Sequence, residues 1–257
     1  MAQESTPVRE ARLGRPIGQE TGPGRAVAGV VLLLPAGEES SVRRARPLAL
    51  AQARALGRRL ARAGRAEGLV AHLVHYRCRG WNGTEAWLAA DALRAADEVV
   101  RRYGDVPVCL AGIDMGGRAA LRAGGHPAVN SVLALAPWLP RPAGEDPLAP
   151  EPVKQLVGRQ VLIAHGTNDE RTDPELSFRF AQRAKKINRD TARFEVHSDG
   201  HAMVQHRAEV AALAVDFVRG ALFGHPFARP VADAFAAPPP LGLRMPLASG
   251  FGRALMQ

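Results

Sequence analysis

Two cysteines in 257 residues rule out a disulfide framework, and Cys109, set in an apolar run, is expected as a buried thiol. Aromatic residues make up only 5% of the chain and are not interleaved with basic ones. No zinc-finger spacing is present either, which argues against the common nucleic-acid readers. The longest apolar run near the N-terminus, Val30 to Leu34, is far too short to cross a bilayer, and residues 1–15 lack the apolar core of a secretory signal. No His-Glu-x-x-His occurs. His72 and His75 sit three apart in a strand and so point to opposite faces, which excludes them as a metal pair. These absences predict a cytoplasmic protein with no metal, no cofactor, no membrane and no nucleic acid.

The hydrophobic share is 46% and the charged share 23%, a balance that suits one soluble α/β domain of this length. Lysine is scarce (Lys154, Lys185 and Lys186), so the net charge of +9 is carried by arginine. Arginine is densest from Arg43 to Arg65, a segment without acidic residues. A solvated helix face is the simpler explanation of that stretch, and a docking surface for an acidic protein partner is the alternative.

Residues 1–25, rich in Gly, Pro and charge, read as a flexible leader. Apolar strand runs are expected at Val27–Leu34, Leu69–His75, Val106–Ala111, Ser131–Ala136, Gln160–His165 and Ala192–His197. Helical periodicity lies between them, at 47–63 (Leu48, Leu56, Leu60), Ala86–Tyr103, Gly116–Ala123, Pro174–Ile187 and Val204–Leu222. The proline-rich residues 138–158 read as a short lid or an irregular crossover, and 223–257 as a tail without pattern that is either disordered or wrapped around the domain. Alternating strands and helices predict an α/β fold, a mainly parallel central sheet flanked by helices over residues 26–222. Ligands of such sheets bind outside the carboxyl ends of the strands.

The turn after the third of these strands reads Gly112-Ile113-Asp114-Met115-Gly116-Gly117. Glycines at that spacing allow a sharp strand–helix turn that throws one residue, Asp114, to the sheet edge. Asp169 follows the fifth strand in His165-Gly166-Thr167-Asn168-Asp169, and His201 follows the sixth in Gly200-His201-Ala202-Met203. Nucleophile, acid and histidine in this order match the α/β-hydrolase order. With Arg79-Gly80-Trp81-Asn82 and Ala136-Pro137-Trp138, the segments resemble small, nearly capless bacterial α/β-hydrolases over about residues 27–222. The resemblance implies that fold and a site built from Asp114, Asp169 and His201. It implies an oxyanion hole from the amides of Met115 and of Ala36 or Gly37. Tyr76, Trp81 and Trp138 are candidates to line the pocket, and Tyr76 is equally well read as packing under the loop.

Two adjacent positions depart. The related elbow reads Gly-His-Ser-Met-Gly-Gly, and here His-Ser is Ile113-Asp114. The aspartate resembles the nucleophile of epoxide hydrolases and haloalkane dehalogenases, without their large cap. A carboxylate attacking an ester gives an unstable anhydride. At an sp³ carbon bearing a leaving group it gives an ester, which water activated by His201–Asp169 can cleave. The substrate would be a small epoxide, alkyl halide or strained lactone-like ring. Asp114 could instead be the base of a cyclase, isomerase or lyase, or part of an inactive binding protein. Taken singly, Asp114 could cap the helix, Asp169 a loop, and His201 could be a core histidine.

Overall fold

The computed structural model describes residues 9–18, 26–141 and 150–252. In chain order they form β1 (Arg12–Ile17), β2 (Gly29–Leu34), α1 (Pro47–Ala63), β3 (Leu69–His75), α2 (Trp87–Tyr103), β4 (Val108–Ile113), α3 (Met115–Ala123) and β5 (Val129–Leu135). Then follow β6 (Gln160–Gly166), α4 (Pro174–Ile187), β7 (Thr191–Val196), α5 (Arg207–Phe223), α6 (Arg229–Ala236) and β8 (Met245–Pro246). The strands make one eight-stranded sheet in the order β1-β3-β2-β4-β5-β6-β7-β8. Every pairing is parallel except β1 with β3.

The period-two geometry of a strand accounts for the layers. In β2, Val30, Leu32 and Leu34 pack with α2 and α3 residues such as Leu88 and Leu121. Val31 and Leu33 face the opposite way, into the cluster of Leu60, Leu213 and Phe217 on α1 and α5. Both faces are covered, so β2 reads as unbroken apolar sequence instead of alternating. Each such fully buried leucine contributes about 1.5–3 kcal/mol. Helix α1 meets the sheet through Ala49, Ala53, Gly57, Leu60 and Ala61. Leu48, expected on that face, is exposed at the helix start. Arg58, Arg59 and Arg62 are exposed, as a solvated face requires.

One expectation is corrected, and of the two readings of the tail one holds. The leader is not structureless throughout. Arg12–Ile17 adds an antiparallel edge strand, pairing Arg12 with His75 and Ile17 with Ala71. Pro16 is tolerated because an edge strand has an unpaired side. The Gly14 carbonyl accepts from His72 Nδ1 at 2.8 Å, while Tyr103 donates its hydroxyl to His72 Nε2 at 2.8 Å, so His72 is a satisfied core histidine. The tail is likewise part of the domain. Phe227 and Phe235 on and before α6 stack on Phe217, with centroids 6.4 and 6.3 Å away. Lys185 Nζ donates to the Ala234 carbonyl at 2.9 Å, and β8 extends the sheet beside β7.

Residues 142–149 of the expected lid lie outside the described residues. Its distal arm is anchored by Glu151, which is buried and bound to Arg118 and Arg122 of α3. Among the described residues no helix is long and apolar enough to cross a membrane. The chain runs from β2 outward to β3, then returns to β4 on the other side of β2. The crevice at such a reversal lies between the turns after β2 and β4.

Candidate active site

The turn between β4 and α3 depends on missing side chains. A Cβ on Gly112 would lie 2.0 Å from the Gly116 carbonyl oxygen. One on Gly116 would lie 2.1 Å from the Leu34 oxygen and 2.4 Å from that of Pro35. Only glycines let the chain turn back against the end of β2 this closely. At the apex Asp114 has φ 57° and ψ −121°. A non-glycine residue held there costs about 1–3 kcal/mol, and such strain tends to cluster at functional sites. The surroundings hold it firmly. Its N–H donates to Leu135 O at 3.0 Å, and its own carbonyl accepts from Gly117 (2.9 Å), Arg118 (3.2 Å) and Trp138 (3.1 Å). The Asp114 side chain makes no capping hydrogen bond to α3, so the helix-cap explanation of this residue fails.

The other two residues converge on it. Asp169 lies in the loop after β6, and His201 in the loop after β7. His201 Nδ1 is 2.8 Å from Asp169 Oδ2, and His201 Nε2 is 4.0 Å from Asp114 Oδ2. With Nδ1 on Asp169, Nε2 of His201 faces Asp114 from beyond hydrogen-bond distance. His201 is thus partly exposed and paired with Asp169, not packed in the core.

Asp169 is held by a ring of donors. Its Oδ1 accepts the amides of Arg171 and Thr172, both at 2.9 Å. Its Oδ2 accepts His165 Nε2 at 3.1 Å, the Thr172 hydroxyl and His201. Burial pushes its pKa up, but the bonds from His165, His201 and Thr172 outweigh burial and hold it well below the ordinary carboxylate range. Asp114 goes the other way. Burial raises its pKa, and the nearby charges of Arg171 and His201 counter this only in part.

Sequence reasoning missed three contributors. The most consequential is Arg171, whose guanidinium lies 2.8 Å from Asp114 Oδ2. Its signal was position alone: it follows Asp169 by two residues in a loop at the carboxyl edge. His165 and Thr172 were also missed. Burial pushes the His165 pKa down, against the hydrogen bond to Asp169.

Of the expected oxyanion residues, Gly37 packs directly on Met115. A Cβ on Gly37 would lie 3.3 Å from Met115 Cβ and 2.6 Å from the Arg79 carbonyl oxygen. Ala36 precedes it, half-buried. The Arg79-Gly80-Trp81-Asn82 segment shapes this loop: Glu38 N donates to Arg79 O at 2.8 Å, and Asn82 Oδ1 accepts from Ser41 N at 2.9 Å.

Among the pocket candidates, Trp138 is half-buried and adjoins Asp114 through its amide. Tyr76 and Trp81 are both core residues, which corrects Trp81 as a pocket candidate and favours the packing reading of Tyr76. The Tyr76 hydroxyl donates to Pro35 O at 3.4 Å, beneath the loop, and burial pushes its pKa up. The Trp81 ring supports Arg118, whose guanidinium carbon is 3.8 Å from the ring centroid.

No protein-family model and no curated protein matches the sequence. Solved structures do. A Thermus thermophilus protein superposes with a TM-score of 0.57 at 18% identity, over 78% of this chain and 91% of its own. A Xanthomonas campestris α/β serine hydrolase described as lacking a lid gives 0.57 at 14%, covering 84% and 90%. A Pyrococcus furiosus esterase gives 0.57 at 13%, covering 77% and 83%. The chain has the α/β-hydrolase fold. Within that fold the elbow, acid and histidine of this chain occupy one edge of the sheet, and the elbow carries a carboxylate.

Proposed function

We propose that the protein is a hydrolase in which Asp114 attacks an electrophilic carbon of a small organic substrate. The observation that carries this reading is a buried carboxylate at the elbow apex beside an intact His201–Asp169 pair. An Asp114 oxygen donates an electron pair to the carbon, and the carbon–leaving-group bond breaks, the group departing with its electrons. Halide leaves as such, whereas an epoxide or strained-ring oxygen takes a proton from solvent. Water then attacks the carboxyl carbon of Asp114, losing its proton to His201 Nε2. The ester C–O bond breaks, and the departing alkoxide takes the proton back from His201. Asp169 holds His201 in the tautomer that accepts at Nε2. The amides of Met115 and of Ala36 or Gly37 are the candidates to receive the tetrahedral oxyanion.

The 2.8 Å ion pair between Arg171 and Asp114 favours a second reading. In it the pair closes the site and the protein binds a ligand without chemistry. Substitution tests whether the aspartate is what sets this site apart from an esterase. With Asp114 in place, p-nitrophenyl esters should be poor substrates, because attack would give an anhydride. Asp114→Ser should gain esterase activity of at least tenfold over the parent, since His201 and Asp169 are already placed to activate a hydroxyl. Strong esterase activity of the parent protein, abolished in His201→Ala, would contradict an aspartate-specific chemistry.

A further inference from the structure

What Arg171 does when Asp114 reacts constrains the substrate. Its backbone amide is fixed on Asp169 Oδ1, at 2.9 Å, while its side chain is 60% exposed. The guanidinium is thus the solvent-side partner of a side chain that is itself 2% exposed. Attack on carbon converts Asp114 from an anion to a neutral ester. The negative charge departs with the leaving group, on the face of the carbon opposite Asp114. Arg171 lies on the Asp114 side and would be left facing an uncharged ester.

The neighbouring acids do not replace the lost partner. Asp169 is taken by His201, His165 and Thr172. Asp173 caps α4 through the Glu175 amide at 2.9 Å and lies 3.7 Å from Arg141. Glu170 is exposed to solvent. A neutral electrophile would therefore leave the Arg171 guanidinium with solvent alone as its partner. An anionic electrophile exchanges one pairing for another.

We propose that the substrate carries a carboxylate or similar oxyanion on the atom next to the electrophilic carbon, and that Arg171 passes from Asp114 to that anion as the ester forms. This deepens the proposed function and rests on Asp114 being the nucleophile. The adjacent atom is the position that fits. A group there stays within one guanidinium span of the attacking oxygen, and a planar guanidinium binds a carboxylate through two N–H donors. Arg141, on the same rim, and the net charge of +9 draw anions toward the site.

The test pairs 2-bromopropanoate with its neutral analogue, 2-bromopropanamide, on the His201→Ala protein. Asp114 oxygen bonds to C2, the C–Br bond breaks, and bromide leaves with the electron pair. Mass mapping of the peptide containing Asp114 reads the adduct. The carboxylate should label faster than the amide by about tenfold or more, the worth of one charge-assisted contact at a partly exposed cation. Adding Arg171→Gln should bring that ratio to about one. The ratio is the readout because loss of Arg171 also alters Asp114, which changes both rates together. A second arm needs no reaction: isobutyrate, but not isobutyramide, should shift the Arg171 Nε–H resonance of the parent protein. Isobutyrate binding without any labelling would sustain anion capture and remove Asp114 as nucleophile. Equal labelling by both bromides with Arg171 present would overturn anion capture and leave the nucleophile standing. Neither binding nor labelling would overturn the proposal.

Discussion

His201→Ala protein exposed to a productive electrophile should accumulate a stable alkyl ester on Asp114. The first step needs no base, because a carboxylate is ionised without help. The second needs a proton acceptor for water, and His201 Nε2, 4.0 Å from Asp114 Oδ2, is placed for it. Removing the imidazole should slow ester hydrolysis by about 10²–10⁴-fold while alkylation continues. Intact mass should then rise by one adduct per chain, mapped to Asp114. Asp114→Asn should form none, since a neutral amide is a poor nucleophile. Steady turnover by His201→Ala at the parent rate, with no adduct, would assign the water-activating role elsewhere.

A single methyl at Gly116 should damage the fold as well as the site. Its Cβ would meet the Leu34 and Pro35 carbonyl oxygens at 2.1 and 2.4 Å, both backbone atoms of the strand that anchors the elbow. Neither can swing aside as a flexible side chain can. Gly116→Ala should destabilise by more than about 4 kcal/mol, read as a lower urea midpoint with unchanged slope. Gly200→Ala is the matched control. The nearest heavy atom to its Cβ is Asn168 O at 3.7 Å, ordinary contact, and the loss should stay within about 1 kcal/mol. Equal losses for the two would mean that the turn does not depend on close backbone approach.

The parts of the fold legible in the sequence are those whose residues settle their own environment. The apolar runs of β2, β4 and β6 can only be strands buried on both faces. The glycines around Asp114 announce a turn that no other residue permits. The order of Asp114, Asp169 and His201 carried the site, and the structure brings these residues together. What was not legible depends on partners far along the chain. Arg-Leu-Gly-Arg-Pro-Ile has no strand signature, and it becomes β1 because β3 offers an open edge and His72 a donor for Gly14. The tail is ordered by Phe227 and Phe235 meeting Phe217, a contact without sequence periodicity. Tyr76 and Trp81 were placed at a strand's carboxyl end correctly, but the loop that covers them is visible only in three dimensions. Arg171 is one arginine among many until the Asp169 turn delivers its guanidinium to Asp114.

The most direct measurement of the central claim is the fate of oxygen in a single turnover. Parent protein in excess over an anionic electrophile such as 2-bromopropanoate, in ¹⁸O water, should place the label first in the Asp114 carboxylate. The product oxygen would then come, unlabelled, from Asp114 itself, because water attacks the carboxyl carbon and the ester bond breaks on that side. Repeated turnovers should carry label into product only afterwards. Label that enters product in the first turnover, with the Asp114 peptide unlabelled, would contradict a covalent ester and remove Asp114 as the nucleophile.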